Sequence, residues 1–260
     1  MANVALRKAE KLPPYHGRPL DPPPSRTWQA PSKSYRGQRR TAYAPHGIDT
    51  FVIHATAGSS SSGAMSVTQR GTASWHWLIP DEDEAAHGEH VWRCVPDSGA
   101  AWHVLSSVKH PADGLKNIND RSLGVEIVNA QDGRDTYSDW QVYVTAALVR
   151  YAMSRYPIRY LYTHAYLDPG RKSDPGAGFP WDRFMGYVLG GAAETPAVNT
   201  SEPKIILLPG SQEIHCKAEL QGGTTRCDLR ALAEGLGFQV IPDHLQTQGK
   251  LYLRVPEVKQ

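Results

Sequence analysis

Two short β-rich runs, each delivering a histidine, constrain the fold of this chain most. Thr50-Phe51-Val52-Ile53-His54-Ala55 is apolar and β-branched and runs into a Gly/Ser-rich stretch from Gly58 to Gly63. That is the pattern of a buried strand entering a loop. Residues 158–163 form a second such run, and it hands over directly to His164. Ligands gather at the carboxyl ends of strands in open α/β sheets, so both histidines stand where chemistry is usually placed. Residues 74–80, 90–95 and 122–129 read as further strands. Ser138 is an N-cap ahead of a helix in which Trp140, Val144, Ala147, Leu148 and Tyr151 recur at helical spacing, and Pro157 ends it. A short helix over 181–189 closes the unit. Strands interleaved with helices predict an α/β domain over residues 46–192.

The flanks differ from this region. Residues 1–47 hold nine Lys/Arg against two Asp/Glu and eight of the 20 prolines. Prolines fix φ and lack a donor, so residues 1–45 read as a basic, Pro-rich, solvated arm. Trp28, Tyr35 and Tyr43 would lay part of it on the domain behind, and its charge could attract an anionic polymer or surface. A polar linker over 193–202 leads to a small α+β domain over 203–260 with a ββαββ-like pattern, its helix over 229–237. Cys216 and Cys227 flank the Gly222-Gly223 turn; an unpaired pair is expected, because nothing fixes their register.

Composition excludes several classes. A net charge of +2 on 260 residues is too mild to argue for nucleic acid. Mean hydropathy is -0.47, and no apolar run approaches the roughly 18 residues of a membrane span. The first residues carry no apolar stretch of roughly 7–15 residues, so no secretory signal peptide is expected. Three cysteines make no disulfide framework.

Three residues form a candidate metal set. Asp174 follows His164 in a loop dense with Gly, Pro and charge, residues 168–176. Two imidazoles and one carboxylate, with a fourth position left to water, is the arrangement of a catalytic zinc. A closed structural site would need four protein ligands, usually with cysteines, and the chain has no CxxC. Taken alone, each histidine reads first as a satisfied core or surface residue. Glu126 sits inside an apolar strand, where a carboxylate is expensive to bury without a partner. It could take a proton from water, or be salt-bridged at the sheet edge. Lys172 could hold an ammonium beside an oxygen that becomes negative in a transition state, or be an ordinary loop lysine.

Together, FVIHATAG, SWHWLIP, AAWHVL, SLGVEIVN and HAYLDPGRKSDPGAGFPW resemble the type 2 N-acetylmuramoyl-L-alanine amidases. These share a fold with the peptidoglycan recognition proteins and with phage lysis amidases. The resemblance spans residues 50–184, with the motifs in the family's order. It implies a mixed central β-sheet flanked by helices. It also implies one Zn²⁺ ion on His54, His164 and Asp174, with Glu126 as base and Lys172 as transition-state stabiliser. His103 is implied to bind substrate. Trp75 stands where several relatives place a Tyr, so that hydroxyl is missing here. Trp75 and Trp102 are expected to pack on sugar faces, Trp77 in the core, and His76 in the sheet core or behind the metal ligands. The implied reaction cuts the amide between the lactyl group of N-acetylmuramic acid and L-alanine in bacterial peptidoglycan. The tail, with GTTRCDLRALAEGLGFQV, is similar to the small N-terminal stalk domain of copper amine oxidases, which implies attachment to wall polymer or self-association. The favoured expectation is a phage or prophage endolysin, made in the host cytoplasm and released to the wall with holin help. The alternatives are a cytoplasmic amidase that recycles anhydro-muropeptides and a non-catalytic peptidoglycan-binding module.

Overall fold

The computed structural model describes residues 8–190, together with six two-residue strands between residues 204 and 254. The chain divides into two compact units, residues 1–196 and 197–260. In chain order the first unit holds β1 (Ala9–Lys11), β2 (Ser25–Thr27), β3 (Tyr35–Arg36), β4 (Thr50–Ala55), α1 (Ser61–Gln69), β5 (Trp77–Ile79), β6 (Val91–Arg93), β7 (Ala100–Ala101), β8 (Ser122–Ile127), α2 (Asp139–Arg155), β9 (Tyr160–Thr163), α3 (His164–Leu167) and α4 (Trp181–Leu189).

Seven strands form one mixed sheet in the order β1-β9-β4-β8-β5-β6-β2. The central strands β9, β4, β8 and β5 are parallel, while β1 and β6 run antiparallel to β9 and β5. β4 and β8 are buried along their whole length, as parallel strands covered on both faces must be. Side chains alternate between the two faces. Phe51, Ile53, Leu123, Val125 and Ile127 join Val142, Leu148 and Val149 of α2 and Phe184 of α4 in the largest core cluster. Trp77 belongs there too, stacked on Phe51 with ring centroids 6.1 Å apart. The other face carries Val52, His54, Ser122, Gly124 and Glu126, with His54 directly opposite Glu126 in register. One apolar face thus anchors the sheet, and the second is free to hold polar chemistry.

Helix α2 is fastened at its start. Ser138 Oγ accepts from Gln141 N at 3.1 Å, and Gln141 Oε1 accepts from Ser138 N at 3.1 Å, a capping box. The buried Gln141 Nε2 then donates to the carbonyls of Pro80 at 3.1 Å and Val128 at 2.8 Å. Gln141→Ala is expected to lower stability by about 2–3 kcal/mol, because it removes the acceptor for Ser138 N and strands two buried carbonyls, while the Ser138 cap itself stays. A lower urea midpoint at unchanged slope would show it.

The sheet departs from the sequence pattern in three places. The strands expected over 74–80 and 90–95 pair only over 77–79 and 91–93. The Gly/Ser-rich loop after β4 is largely α1; Ser60 caps it by accepting from Gly63 N, and Glu84 receives both Ser61 N and Ser61 Oγ. No apolar stripe announced this helix, since polar caps start it. The third departure is the arm. β1 extends the sheet beyond β9, β2 extends the opposite edge beyond β6, and β3 pairs with β7. Arg36 and Arg40 bind the fully buried Asp120. Arg39 reaches inward and donates to the carbonyls of Asp97, Asn119 and Ser122 at 2.9–3.0 Å. The arm expected to be solvated therefore pairs with the domain's strands at residues 9–11, 25–27 and 35–36.

In the second unit, 204–205 pairs with 214–215, 220–221 with 224–225, and 239–240 with 253–254, all antiparallel. The linker over 193–202, the helix expected over 229–237, and Cys216 and Cys227 lie outside the described residues.

Candidate active site

Three side chains from three elements meet above the polar face of the sheet. His54 is the penultimate residue of β4. His164 opens α3, whose cap Thr163 accepts from Tyr166 N at 3.2 Å. Asp174 comes from the loop over 168–176, held down where Ala165 N donates to the Asp174 carbonyl at 2.9 Å and Tyr137 Oη donates to the Pro175 carbonyl at 2.5 Å. His54 Nδ1 lies 2.8 Å from His164 Nδ1 and 3.3 Å from Asp174 Oδ2, and His164 Nδ1 lies 3.0 Å from the same oxygen. All three residues are buried.

The electrostatics of this cluster suit a cation. Burial, with His164 beside it, pushes the His54 imidazole down to about 4, so it is neutral with a free lone pair at pH 7. Burial alone would raise the Asp174 carboxyl, but its contacts with His164 and His54 outweigh that and hold it below the usual carboxylate range. Two imidazole nitrogens this close share at most one hydrogen, and a carboxylate adds a further negative oxygen. Tetrahedral bonds of about 2.0–2.1 Å place donor atoms roughly 3.3 Å apart, close to the separations here. Two nitrogens, one oxygen and an open fourth position fit zinc.

A cavity of about 360 Å³ opens on these ligands, and its walls include Glu126, Lys172, Trp75, His103 and Gln131. Burial, reinforced by the negative charge of Asp174, lifts the Glu126 carboxyl well above the usual range, with Lys172 pulling the other way. An adjoining groove, sharing His103, His164, Arg171 and Lys172 with the cavity, is lined by Trp102, Arg36 and Arg40.

Seven of the eight residues singled out in the sequence thus border one cavity, and Trp102 borders the groove beside it. The two tryptophans are not alike: Trp102 is 36% exposed and Trp75 only 4%, so Trp102 is open to the groove while Trp75 is almost wholly buried in the cavity wall. His103 is also buried, with its Nδ1 2.9 Å from His54 Nε2, which ties it first to a ligand. His76 accepts from Gly124 N at 3.0 Å, behind the site. Sequence reasoning missed Gln131, whose Nε2 donates to the Ala55 carbonyl at 3.2 Å, and the arginines of the arm. A turn signal at Asp132-Gly133 marks a loop there, but nothing local shows that its neighbour reaches the cavity.

Residues 44–177, just over half of the chain, match the N-acetylmuramoyl-L-alanine amidase family, Amidase_2. The chain belongs to this family. The match takes in His54, His103, Glu126, His164, Lys172 and Asp174 and leaves out most of the arm. Among curated members, the chain is 29% identical over 174 residues to the N-acetylmuramoyl-L-alanine amidase AmiD of Escherichia coli, covering 63% of this chain and 61% of AmiD. It is 36% identical over 118 residues to the 1,6-anhydro-N-acetylmuramyl-L-alanine amidase AmpD of Citrobacter freundii, covering 44% of this chain and 56% of AmpD. Among solved structures, AmpDh3 of Pseudomonas aeruginosa aligns at 29% identity with a TM-score of 0.47, over 58% of this chain and 63% of that one. The chain spans less than two thirds of each of these relatives.

Proposed function

We propose that the chain is a zinc-dependent amidase that cuts the bond between N-acetylmuramic acid and L-alanine. The observation that carries this reading is the meeting of His54 Nδ1, His164 Nδ1 and Asp174 Oδ2 at the floor of a cavity that also holds Glu126. Zinc held there would supply Lewis acidity to the carbonyl oxygen and make water a nucleophile near neutral pH. Glu126, set on a strand rather than a loop, takes the proton of the attacking water and returns it to the departing amine. Lys172 presents its ammonium to the carbonyl oxygen as that oxygen becomes negative. Trp102 offers a ring face to the sugar in the adjoining groove. Because all three ligand residues are present, a purely binding role is not the reading favoured.

The substrate we assign is a soluble muropeptide, including the anhydro form, in place of the intact wall an endolysin would attack. The support is that the curated relatives are named AmiD and AmpD, the latter for the 1,6-anhydro substrate. We place residues 8–190, the arm included, in the catalytic domain, with the tail as a separate unit for wall polymer or a second copy. The test counts new L-alanine amino termini released from a soluble anhydro-muropeptide and from purified sacculi. Faster release from the soluble substrate is expected. Preference for sacculi would return the endolysin reading, and no release from either by zinc-loaded protein would overturn hydrolysis altogether.

A further inference from the structure

The second ring nitrogen of His54 points away from the ligand cluster into a buried chain that the reaction above does not use. His54 Nε2 lies 2.9 Å from His103 Nδ1, and His103 Nε2 lies 3.0 Å from Ser122 Oγ. All three residues are buried, and the two rings meet edge to face with centroids 5.1 Å apart. Strand β8 is shaped for this contact. Ser122, Gly124 and Glu126 alternate along one face: Ser122 ends the chain, Glu126 lines the cavity, and Gly124 leaves the space that His103 fills. A Cβ on residue 124 would stand 2.7 Å from His103 Nδ1. The arm braces the same strand, since Arg39 Nη1 donates to the Ser122 carbonyl at 2.9 Å.

A neutral imidazole carries one N–H and one bare nitrogen, so the hydrogens of this chain can run in two directions. In the first, Ser122 donates to His103 Nε2, His103 Nδ1 donates to His54 Nε2, and His54 keeps a hydrogen on Nδ1, facing His164 and Asp174. In the second, His54 Nε2 donates to His103 Nδ1, His103 Nε2 donates to Ser122 Oγ, and His54 Nδ1 is bare. Only the second leaves a lone pair for a cation. We propose that His103 and Ser122 are positioning residues that fix the tautomer and ring orientation of His54 for metal binding. This role differs from the substrate contact expected of His103, and it rests on reading His54, His164 and Asp174 as a metal centre. Groups that accept the outer N–H of a metal-bound imidazole typically carry about 10–100-fold in metal affinity.

The test is the zinc affinity of the full chain, measured by competition with a chromogenic chelator, with far-UV circular dichroism confirming the fold of each variant. His103→Ala is expected to weaken zinc binding about 10–100-fold. His103→Asn, which keeps an acceptor near the Nδ1 position, recovers most of that loss. Ser122→Ala costs a smaller factor than His103→Ala and carries the test if His103→Ala does not fold. Nitrogen-15 shifts of the zinc-loaded wild type are expected to show His103 with its hydrogen on Nε2. Zinc affinity within about twofold of wild type in both His103→Ala and Ser122→Ala, or a hydrogen on His103 Nδ1 in the loaded protein, overturns the proposal and leaves the metal centre standing. A wild type that binds no zinc overturns the metal centre, and the positioning role falls with it.

Discussion

Glu126→Gln is expected to slow amide hydrolysis about 10²–10⁴-fold, the range a general base supplies, while zinc affinity stays within about threefold of wild type. The amide keeps the shape of the carboxyl at its place opposite His54, but it cannot accept a proton at neutral pH. The pH profile gives a second reading of the same group. Burial and then the charge of Asp174 raise the Glu126 carboxyl well above the usual range. A base works only when ionised, so kcat/KM of the zinc-loaded enzyme falls on the acid side as Glu126 takes up a proton. The residual rate of the Gln variant is expected to lack this fall. Stability moves the opposite way. An acid whose folded pKa is raised contributes stability below its unfolded pKa, and that contribution is lost as pH rises through the folded value. Metal-free Glu126→Gln is therefore expected to melt at or above the wild-type temperature at pH 8, as replacing a buried functional carboxyl often allows. A Gln variant within tenfold of the wild-type rate would remove Glu126 from the base role.

Asp174→Ala is expected to abolish tight zinc binding and reduce hydrolysis to background. Asp174 is the only anionic donor of the three, and its removal leaves two imidazoles where catalytic zinc sites use three protein ligands. The loss is legible without an activity assay. A ligand that binds only the folded state stabilises it by about 2.7 kcal/mol at a hundred times its Kd. Zinc is therefore expected to raise the melting temperature of the wild type and to leave that of Asp174→Ala unchanged. Equal zinc-dependent shifts in both proteins would place the ion elsewhere; the acidic group of Asp81, Glu82 and Asp135 is the first location to examine.

Much of this site can be read in the sequence, for identifiable reasons. His54 and His164 end strands whose apolar runs are long enough to recognise, and Asp174 lies in a loop whose Gly and Pro content marks it. Glu126 stands out as a charge in a buried strand. The setting of His103 does not show, because it depends on Ser122 and Gly124, which come near only when β8 pairs with β4. The arm is hidden for a different reason. Three-residue strands such as 9–11 and 25–27 are too short to display an alternation, and a basic, Pro-rich composition argues for solvent. The half-buried Arg39 overrides that argument by satisfying three carbonyls at once. Helix α1 starts on serines and a glycine, so its sequence reads as a loop until Glu84 is seen clamping its first turn.

The central claim is that this cluster holds a metal which hydrolysis requires. Its most direct test is a single preparation assayed three times on a soluble muropeptide: as loaded with zinc, after chelation, and after zinc is restored, with bound zinc counted at each stage. One zinc per chain is expected, with L-alanine amino termini appearing, disappearing and returning as the zinc does. Hydrolysis that continues at full rate in the zinc-free protein would contradict the account.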